Sequence, residues 1–277
     1  MDDPPRLGLI AGQGRLPILV ARGMRAAGAQ VACVGLRGQY DPDLPPLCDT
    51  FAEAGIVRLG RWIKLLRRWE VDRAVMVGRV AKVRAHDPLR LFRQIPDWRA
   101  LRLWYRRLRH DHRTPALLSA VAEELLKNGI TLIDSTLYIP DHLATGGVMG
   151  RHQPTGAQRA DIDFGWRLLE RIVELDVGQA MAVREHDVIA VEAVEGTDAL
   201  IDRAGELCPA RSWTLLKTAK AAHDMRADVP TIGVQTIERL KSAGSTCLAV
   251  GVGRVILIDK PAVLEAADRA RVAVVGV

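Results

Sequence analysis

The sequence predicts an α/β protein of two domains, with a helix-covered parallel sheet in the N-terminal part and a second α/β unit in the C-terminal part. Three observations point there. Strand-like and helix-like segments alternate along the first half. Glycine or proline stands at the ends of several of those segments, where elements start and stop. A glycine-rich loop, LATGGVMG, then precedes a second series of apolar runs with strands and helices of its own. The boundaries read from these features are 1–134 and 135–277.

The elements follow in chain order. RLGLIAG is a short buried strand, and RLPILVARGMRAAG carries apolar residues at helical spacing and closes at Gly28. QVACVGLRG is a second strand. GRWIKLLRRWEV is a helix with Trp62, Leu65, Leu66 and Trp69 on one face, and DRAVMVGRV is a further buried strand. Residues 84–113 are rich in Arg, with helices expected around Pro88 and Pro96. TPALLSAVAEELLKNG is a helix capped by Thr114, opened by Pro115 and ended by Gly129. ITLIDST is a strand that leads into LATGGVMG. In the second half, ADIDFGWRLLERIVELD is a helix and QAMAVREHDVIAVEAVEGTD a hairpin turning at His186–Asp187. SWTLLKTAK, TCLAVGVGRVILID and VAVVGV supply more strands, with helices over 234–243 and 261–270.

Charge is distributed unevenly. The chain of 277 residues has a net charge of +6, yet Arg61 to Arg113 alone holds 16 Lys/Arg against 5 Asp/Glu. Four of the six Trp (Trp62, Trp69, Trp98, Trp104) lie in that segment. Basic and aromatic side chains interleaved in this way suit an anionic partner with an apolar part, such as a surface of acidic lipids. Nucleic acid accepts the same charge, but no nucleic-acid motif accompanies it, and none is expected as a partner. The competing reading is a solvated helix face whose Trp turn inward. No apolar run approaches the about 20 residues of a membrane-spanning helix. MDDPPRLGL lacks the basic flank and apolar core of a signal peptide, so a cytoplasmic location is expected. Cys33, Cys48, Cys208 and Cys247 form no C-x-x-C pair and read as packing residues.

The opening LGLIAGQGRLP poses the first functional question. A strand, a G-x-G turn and a helix resemble the start of a Rossmann-like dinucleotide site, whose fingerprint is G-x-G-x-x-G followed by an acidic residue after the second strand. Gly12 and Gly14 fit the first two positions, but Pro17 takes the third, and Arg37 follows the second strand. Arg37 leaves NADP open as a ligand. In either case a strand-to-helix turn offers backbone N–H groups to a phosphate or sugar hydroxyl, which makes Gly12, Gln13 and Gly14 candidate substrate contacts.

The second half concentrates polar residues between apolar runs. VEAVEGTDALI sets Glu195, Gly196, Thr197 and Asp198 after a strand, as two carboxylates and a hydroxyl suited to Mg²⁺, or simply as a helix start. LLKTAKAAHDMRADVPTIG brings Lys217, Lys220, His223, Asp224, Arg226 and Asp228 onto a loop that Pro230 keeps from being helical. Cations that balance phosphate charge beside carboxylates that hold a metal describe phosphoryl transfer, against the alternative of a solvated charged loop. His110 and His112 sit two apart in a basic run and read as solvated rather than metal-bound.

GLIAGQGRLP, DVGQAMAV, VEAVEGTDALI, LLKTAK and MRADVPTIG, in this order and spacing, resemble the UDP-2,3-diacylglucosamine diphosphatases of lipid A synthesis, the type unrelated to calcineurin-like phosphoesterases. The resemblance spans nearly the whole chain and implies two α/β domains, the second catalytic, with the lipid substrate captured between them, and a homodimer. It implies Mg²⁺-dependent hydrolysis of the substrate's diphosphate to UMP and 2,3-diacylglucosamine 1-phosphate (lipid X). The aspartate of R-x-D-x-P-T-I-G carries over to Asp228 as metal ligand and organiser of the attacking water. EGTD carries over to Glu195, Gly196, Thr197 and Asp198, of which Glu195 and Asp198 are candidates for metal or water positioning. Lys217 and Arg226 are expected on phosphates, and Thr145, Gly146, Gly147, Thr197 and Thr231 on the nucleotide or sugar phosphate. Ala221 stands where many relatives have proline, and residues 84–113 match the pattern least. A substrate with two acyl chains gives the basic, Trp-bearing segment a reason, as peripheral contact with the inner membrane. Two rivals remain at this point: an NADP-dependent oxidoreductase and a non-catalytic nucleotide-sugar or lipid-binding protein.

Overall fold

The structure is a computed structural model that describes residues 4–80, 96–103, 105, 114–221, 223–226 and 229–277, without the side chains of residues 114 and 115. The chain divides into two compact units. One comprises Met1–Ile139 with a return stretch starting at Asp224, and the other Pro140–His223 with Val229–Val277.

The first unit runs β1 (Arg6–Ala11), α1 (Leu16–Ala26), β2 (Gln30–Leu36), β3 (Thr50–Ala54), α2 (Leu59–Arg68), β4 (Arg73–Val77), α3 (Trp98–Leu103), α4 (Thr114–Leu126) and β5 (Thr131–Leu132). All its strands are parallel, in the order β3-β2-β1-β4-β5. β1 and β2 are buried along nearly their whole length, as strands covered on both faces must be. Ile10, Ala32, Val34 and Ala74 meet Trp62, Ile63 and Leu66 of α2 and Val121 and Leu125 of α4. α1 packs on β1 and β2 through Ile18, Val20, Ala21 and Met24, with Pro17 in its first turn and Gly28 (φ 80°) just beyond its end. Trp62 is therefore a core residue. On α2 the apolar face centres on Leu59, Trp62, Ile63 and Leu66, while Leu65 and Trp69 are only partly buried.

The second unit runs β6 (Gly147–Val148), α5 (Gly156–Glu174), β7 (Ala180–Arg184), β8 (Asp187–Val191), α6 (Thr197–Leu207), β9 (Trp213–Lys217), β10 (Thr231–Ile232), α7 (Val234–Ala243), β11 (Ser245–Val250), β12 (Ile256–Leu257), α8 (Lys260–Ala270) and β13 (Ala273–Gly276). Six strands form a mixed sheet, β6-β13-β11-β9-β7-β8. β13, β11 and β9 are parallel, β7 opposes β9, and β8 opposes β7 and so runs with β9. Side-chain alternation divides the core. Met181, Val183, Leu216 and Ala249 face α5 through Ile162, Leu169 and Val173. Trp213, Leu215, Leu248 and Val274 face α6, α7 and α8 through Leu200, Ile201, Ile237, Leu240 and Val263. Thr155 and Gln158 close a capping box at the start of α5.

Trp213 is fully buried and its indole N–H donates to the Ala243 carbonyl at 3.2 Å. Trp213→Ala is expected to cost about 3–5 kcal/mol, read as a lower denaturation midpoint in urea.

Several sequence expectations need correction. The hairpin turns at Glu185–His186, both at positive φ (52° and 59°), with Arg184 paired to Asp187. A two-residue turn of this kind matches the twist of the strands it joins. β3 was not foreseen, because of its five residues only Ala54 is buried and no alternation shows. ITLIDST contributes just the two residues of β5, and Gly147–Val148 of the expected loop pair with β13. The end of TCLAVGVGRVILID leaves the main sheet as β12 and pairs with β10. The helix expected around Pro88, together with Trp104, His110 and His112, lies outside the described residues; α3 starts two residues after Pro96. No helix among the described residues is long and apolar enough to cross a membrane.

Candidate functional site

β9 is buried at all five positions, and the last of them is a lysine. Lys217 thus places an ammonium at the carboxyl end of the parallel strands, the edge where open α/β sheets receive ligands. The same edge collects the end of β8, the start of β7, the turn after β11 and residues 145–147 beside β13.

A buried cation requires partners, and the structure supplies them. Lys217 Nζ donates to Thr197 Oγ1 at 2.7 Å and to the Thr231 carbonyl at 3.2 Å. The Thr197 hydroxyl in turn donates to the Glu192 carboxylate, at 3.2 Å from both oxygens. Ammonium, hydroxyl and carboxylate form one chain, in which the hydroxyl accepts on one side and donates on the other.

Local backbone sets this up. Gly196 adopts φ 85°, ψ 168°, a conformation essentially reserved for glycine, and so lets Thr197 begin α6 immediately after the turn. Thr197 is thereby the first helical residue rather than its cap. Gly178 lets the chain ahead of β7 approach Glu192, since a Cβ there would lie 1.9 Å from the Glu192 carbonyl oxygen. Glu192 N–H donates to the Ala180 carbonyl at 2.9 Å, which fixes the carboxylate beyond the end of β8.

The two glutamates of this loop titrate in opposite directions. Burial pushes the Glu192 carboxyl up, against the opposing pull of the Lys217 charge, the Thr197 hydroxyl and a Gln179 N–H. Glu195 is held below its ordinary value, first by its own backbone N–H and also by Arg203. Glu195 Oε1 lies 3.0 Å from Arg203 Nη2, which also donates to the Val191 carbonyl at 2.6 Å. Glu195 therefore clamps the loop that carries Glu192.

The remaining predicted residues are distributed over both units. Asp198 is exposed and faces Arg239 at 3.9 Å, so it and Glu195 each turn to a different arginine. Thr145 Oγ1 accepts from Lys260 Nζ at 3.4 Å, and its carbonyl is so close to β13 that only glycine fits at position 276. Thr145, Gly146 and Gly147 accordingly line the carboxyl edge near Gly276. Thr231 contributes its carbonyl to Lys217. Arg226 belongs to the first unit, where its guanidinium makes two bonds to Asp224, at 2.8 and 2.6 Å, and Met225 O accepts from the backbone N–H and the hydroxyl of Ser135. Lys220 pairs with Asp176 at 2.5 Å. Asp228 lies outside the described residues.

In the first unit, Gly12 N–H donates to the Val77 carbonyl at 2.8 Å, and Gln13 exchanges both backbone bonds with Arg79. A Cβ on Gly12 would lie 2.8 Å from the Arg79 carbonyl oxygen, so this glycine serves a close approach between strand ends. The ends of β1 and β4 stay paired at the switch point where a dinucleotide pyrophosphate would lie. Gly14 (φ 95°) makes the turn into α1. Arg37 is paired with Glu53 at 3.4 Å.

Residues 6–142 match the family model described as the LpxI N-terminal domain, and residues 145–275 the one described as the LpxI C-terminal domain. The chain belongs to the LpxI family. It is 34% identical over 282 residues to the UDP-2,3-diacylglucosamine pyrophosphatase LpxI of Caulobacter vibrioides, covering 98% of this chain and 97% of that protein. Among solved structures, glycinamide-RNase-transformylase T from Mycobacterium tuberculosis is 15% identical over 68% of this chain and 44% of its own, with a TM-score of 0.24, too low to carry an argument. In this LpxI-family chain the residue that sequence reasoning missed is Glu192. Its signal was a carboxylate directly after an apolar strand and five residues ahead of Thr197.

Proposed function

We propose that the chain hydrolyses the diphosphate of UDP-2,3-diacylglucosamine in a Mg²⁺-dependent reaction, releasing UMP and lipid X. The observation that carries this reading is Lys217, a buried ammonium held by a hydroxyl and a carbonyl at the carboxyl edge of the second unit. Such a cation, already aimed and partly desolvated, counters the charge of a diphosphate without reorganising during the reaction. Its partners Thr197 and Thr231 fix the direction of the N–H bonds, and residues 145–147 offer a second polar stretch at the same edge. The relative named for this pyrophosphatase aligns with this chain over nearly its whole length.

Mg²⁺ fits this edge on one condition. The ion needs only one or two carboxylates when a substrate brings phosphate oxygens. Among the described residues no three His, Cys, Asp or Glu side chains come together as a metal group. Glu192 is engaged by Thr197, and Asp224 by Arg226; the resemblance to this family gives the metal carboxylate to Asp228, with Glu195 and Asp198 at most acting through water. When bound, Mg²⁺ supplies charge neutralisation of the diphosphate and a more acidic water. Incubated with this substrate, the protein is expected to release UMP in Mg²⁺ and none after chelation with EDTA. Equal release in both conditions overturns the metal assignment.

The same proposal places the enzyme on the cytoplasmic face of the inner membrane, as a homodimer with peripheral contact through the basic segment. Of its four Trp, Trp62 is buried in the core, whereas Trp98 is 75% exposed and Leu101 and Tyr105, close to it in sequence, are exposed as well. Flotation with anionic liposomes is expected to carry the protein upward in low salt and to lose it at high salt, whereas Trp98→Ala weakens the binding. An absence of binding at low salt contradicts the membrane contact.

A further inference from the structure

We propose that Glu192 is a positioning residue, acting through the Thr197 hydroxyl to hold the Lys217 ammonium aimed at the substrate's diphosphate. The inference rests on the hydrolase reading above and adds a residue and a mechanism to it. Glu192 is one of few charged side chains in the second unit's interior, 9% exposed, and Lys217 is another, at 6%. The two make no direct ion pair. Between them stands one hydroxyl with a single proton, and its geometry leaves one way to use it: the proton points to Glu192 and a lone pair to Lys217.

That arrangement defines the direction of Lys217 more tightly than a salt bridge would. An ammonium beside a carboxylate would turn its N–H bonds onto it, and the carboxylate would cancel the charge that a phosphate oxygen needs. Set one hydroxyl away, Glu192 supports the positive charge from behind through the neutral Thr197 oxygen. The surrounding backbone is built to keep this spacing. Gly178 admits the close approach of the Glu192 backbone, the positive-φ Gly196 begins α6 at Thr197, and Glu195 with Arg203 ties down the intervening turn. Removing the Glu192 charge therefore loosens Lys217 without touching the ligand, whereas removing the Thr197 hydroxyl disconnects the two.

The test is a set of variants assayed for UMP release from UDP-2,3-diacylglucosamine with Mg²⁺, with equilibrium binding of UDP and Mg²⁺ measured in parallel by calorimetry. Glu192→Gln is expected to lower kcat/KM by about tenfold and to weaken UDP binding, and Thr197→Val to lower kcat/KM by at least as much. Thr197→Ser, which keeps the hydroxyl, is expected to stay within about threefold of wild type. The deciding measurement is the double variant. In a Lys217→Met background, Glu192→Gln is expected to have no further effect, because its route to the ligand is already gone. A packing role instead makes the two losses multiply. Multiplying losses, or Glu192→Gln equal to wild type, overturns the proposal. Should Glu192→Gln fail to fold, Thr197→Val equal to Thr197→Ser does so instead. Wild type that releases no UMP but binds UDP overturns the hydrolase reading alone, and the UDP affinities of the same variants then decide the role of Glu192.

Discussion

Lys217→Met is expected to lower UMP release by about 10³-fold while the protein stays folded. Met keeps most of the volume of the lysine stem in a strand end that is buried at every position of β9. Only the ammonium is lost, and with it the bonds to Thr197 Oγ1 and the Thr231 carbonyl. Folding survives because the residual problem, a buried Glu192 without its cation, has a protonation solution. Burial already pushes that carboxyl up against the pull of Lys217, so removal of Lys217 raises it further and the neutral acid still pairs with Thr197. The change is therefore to be read in kcat/KM, with thermal stability as the control. Lys217→Arg is not expected to rescue, since a planar five-donor guanidinium does not fit a slot shaped for one ammonium.

Asp228→Asn carries the second large effect. On the proposed role of Asp228 as metal ligand, an amide there ligates Mg²⁺ poorly and organises the attacking water less well, so kcat is expected to fall by about 10³-fold or more. UDP affinity measured without metal is expected to stay within about threefold, because the phosphate cations are untouched. A comparable loss of metal-free UDP affinity would falsify the assignment of Asp228 to the metal.

The sequence was most legible where one physical pattern dominated. Buried runs such as LGLIA and VACVGL, followed by helical spacing and a closing glycine, read correctly as strands and helix of a parallel sheet. Lys217 was singled out as a cation of the LLKTAK motif able to balance phosphate charge, and the structure buries it at the end of β9. Pro17 in place of the third glycine already departed from the dinucleotide fingerprint, although Arg37 left NADP open, and the pairing of Gln13 with Arg79 supplies a structural reason against that loop.

Other features depend on contacts that no local pattern encodes. β3 is a half-exposed edge strand, and the two-residue strands β5, β10 and β12 exist through their partners alone. Glu192 follows an apolar strand, but its burial depends on Gly178, fourteen residues earlier, and its hydrogen-bond chain on Thr197 and Lys217 from other elements. Glu195, a candidate for metal or water positioning by its motif, has its carboxylate on Arg203, two helical turns on. The pairing of motif residues was legible; which of them face inward was not.

The central claim is that this chain cleaves the diphosphate of UDP-2,3-diacylglucosamine. The most direct measurement is a time course with the purified wild type, that substrate and Mg²⁺, following UMP and lipid X together. Equimolar appearance of the two products, absent in Lys217→Met on the same timescale, is the result predicted here. Intact substrate after prolonged incubation, or UMP released equally by wild type and Lys217→Met, contradicts it.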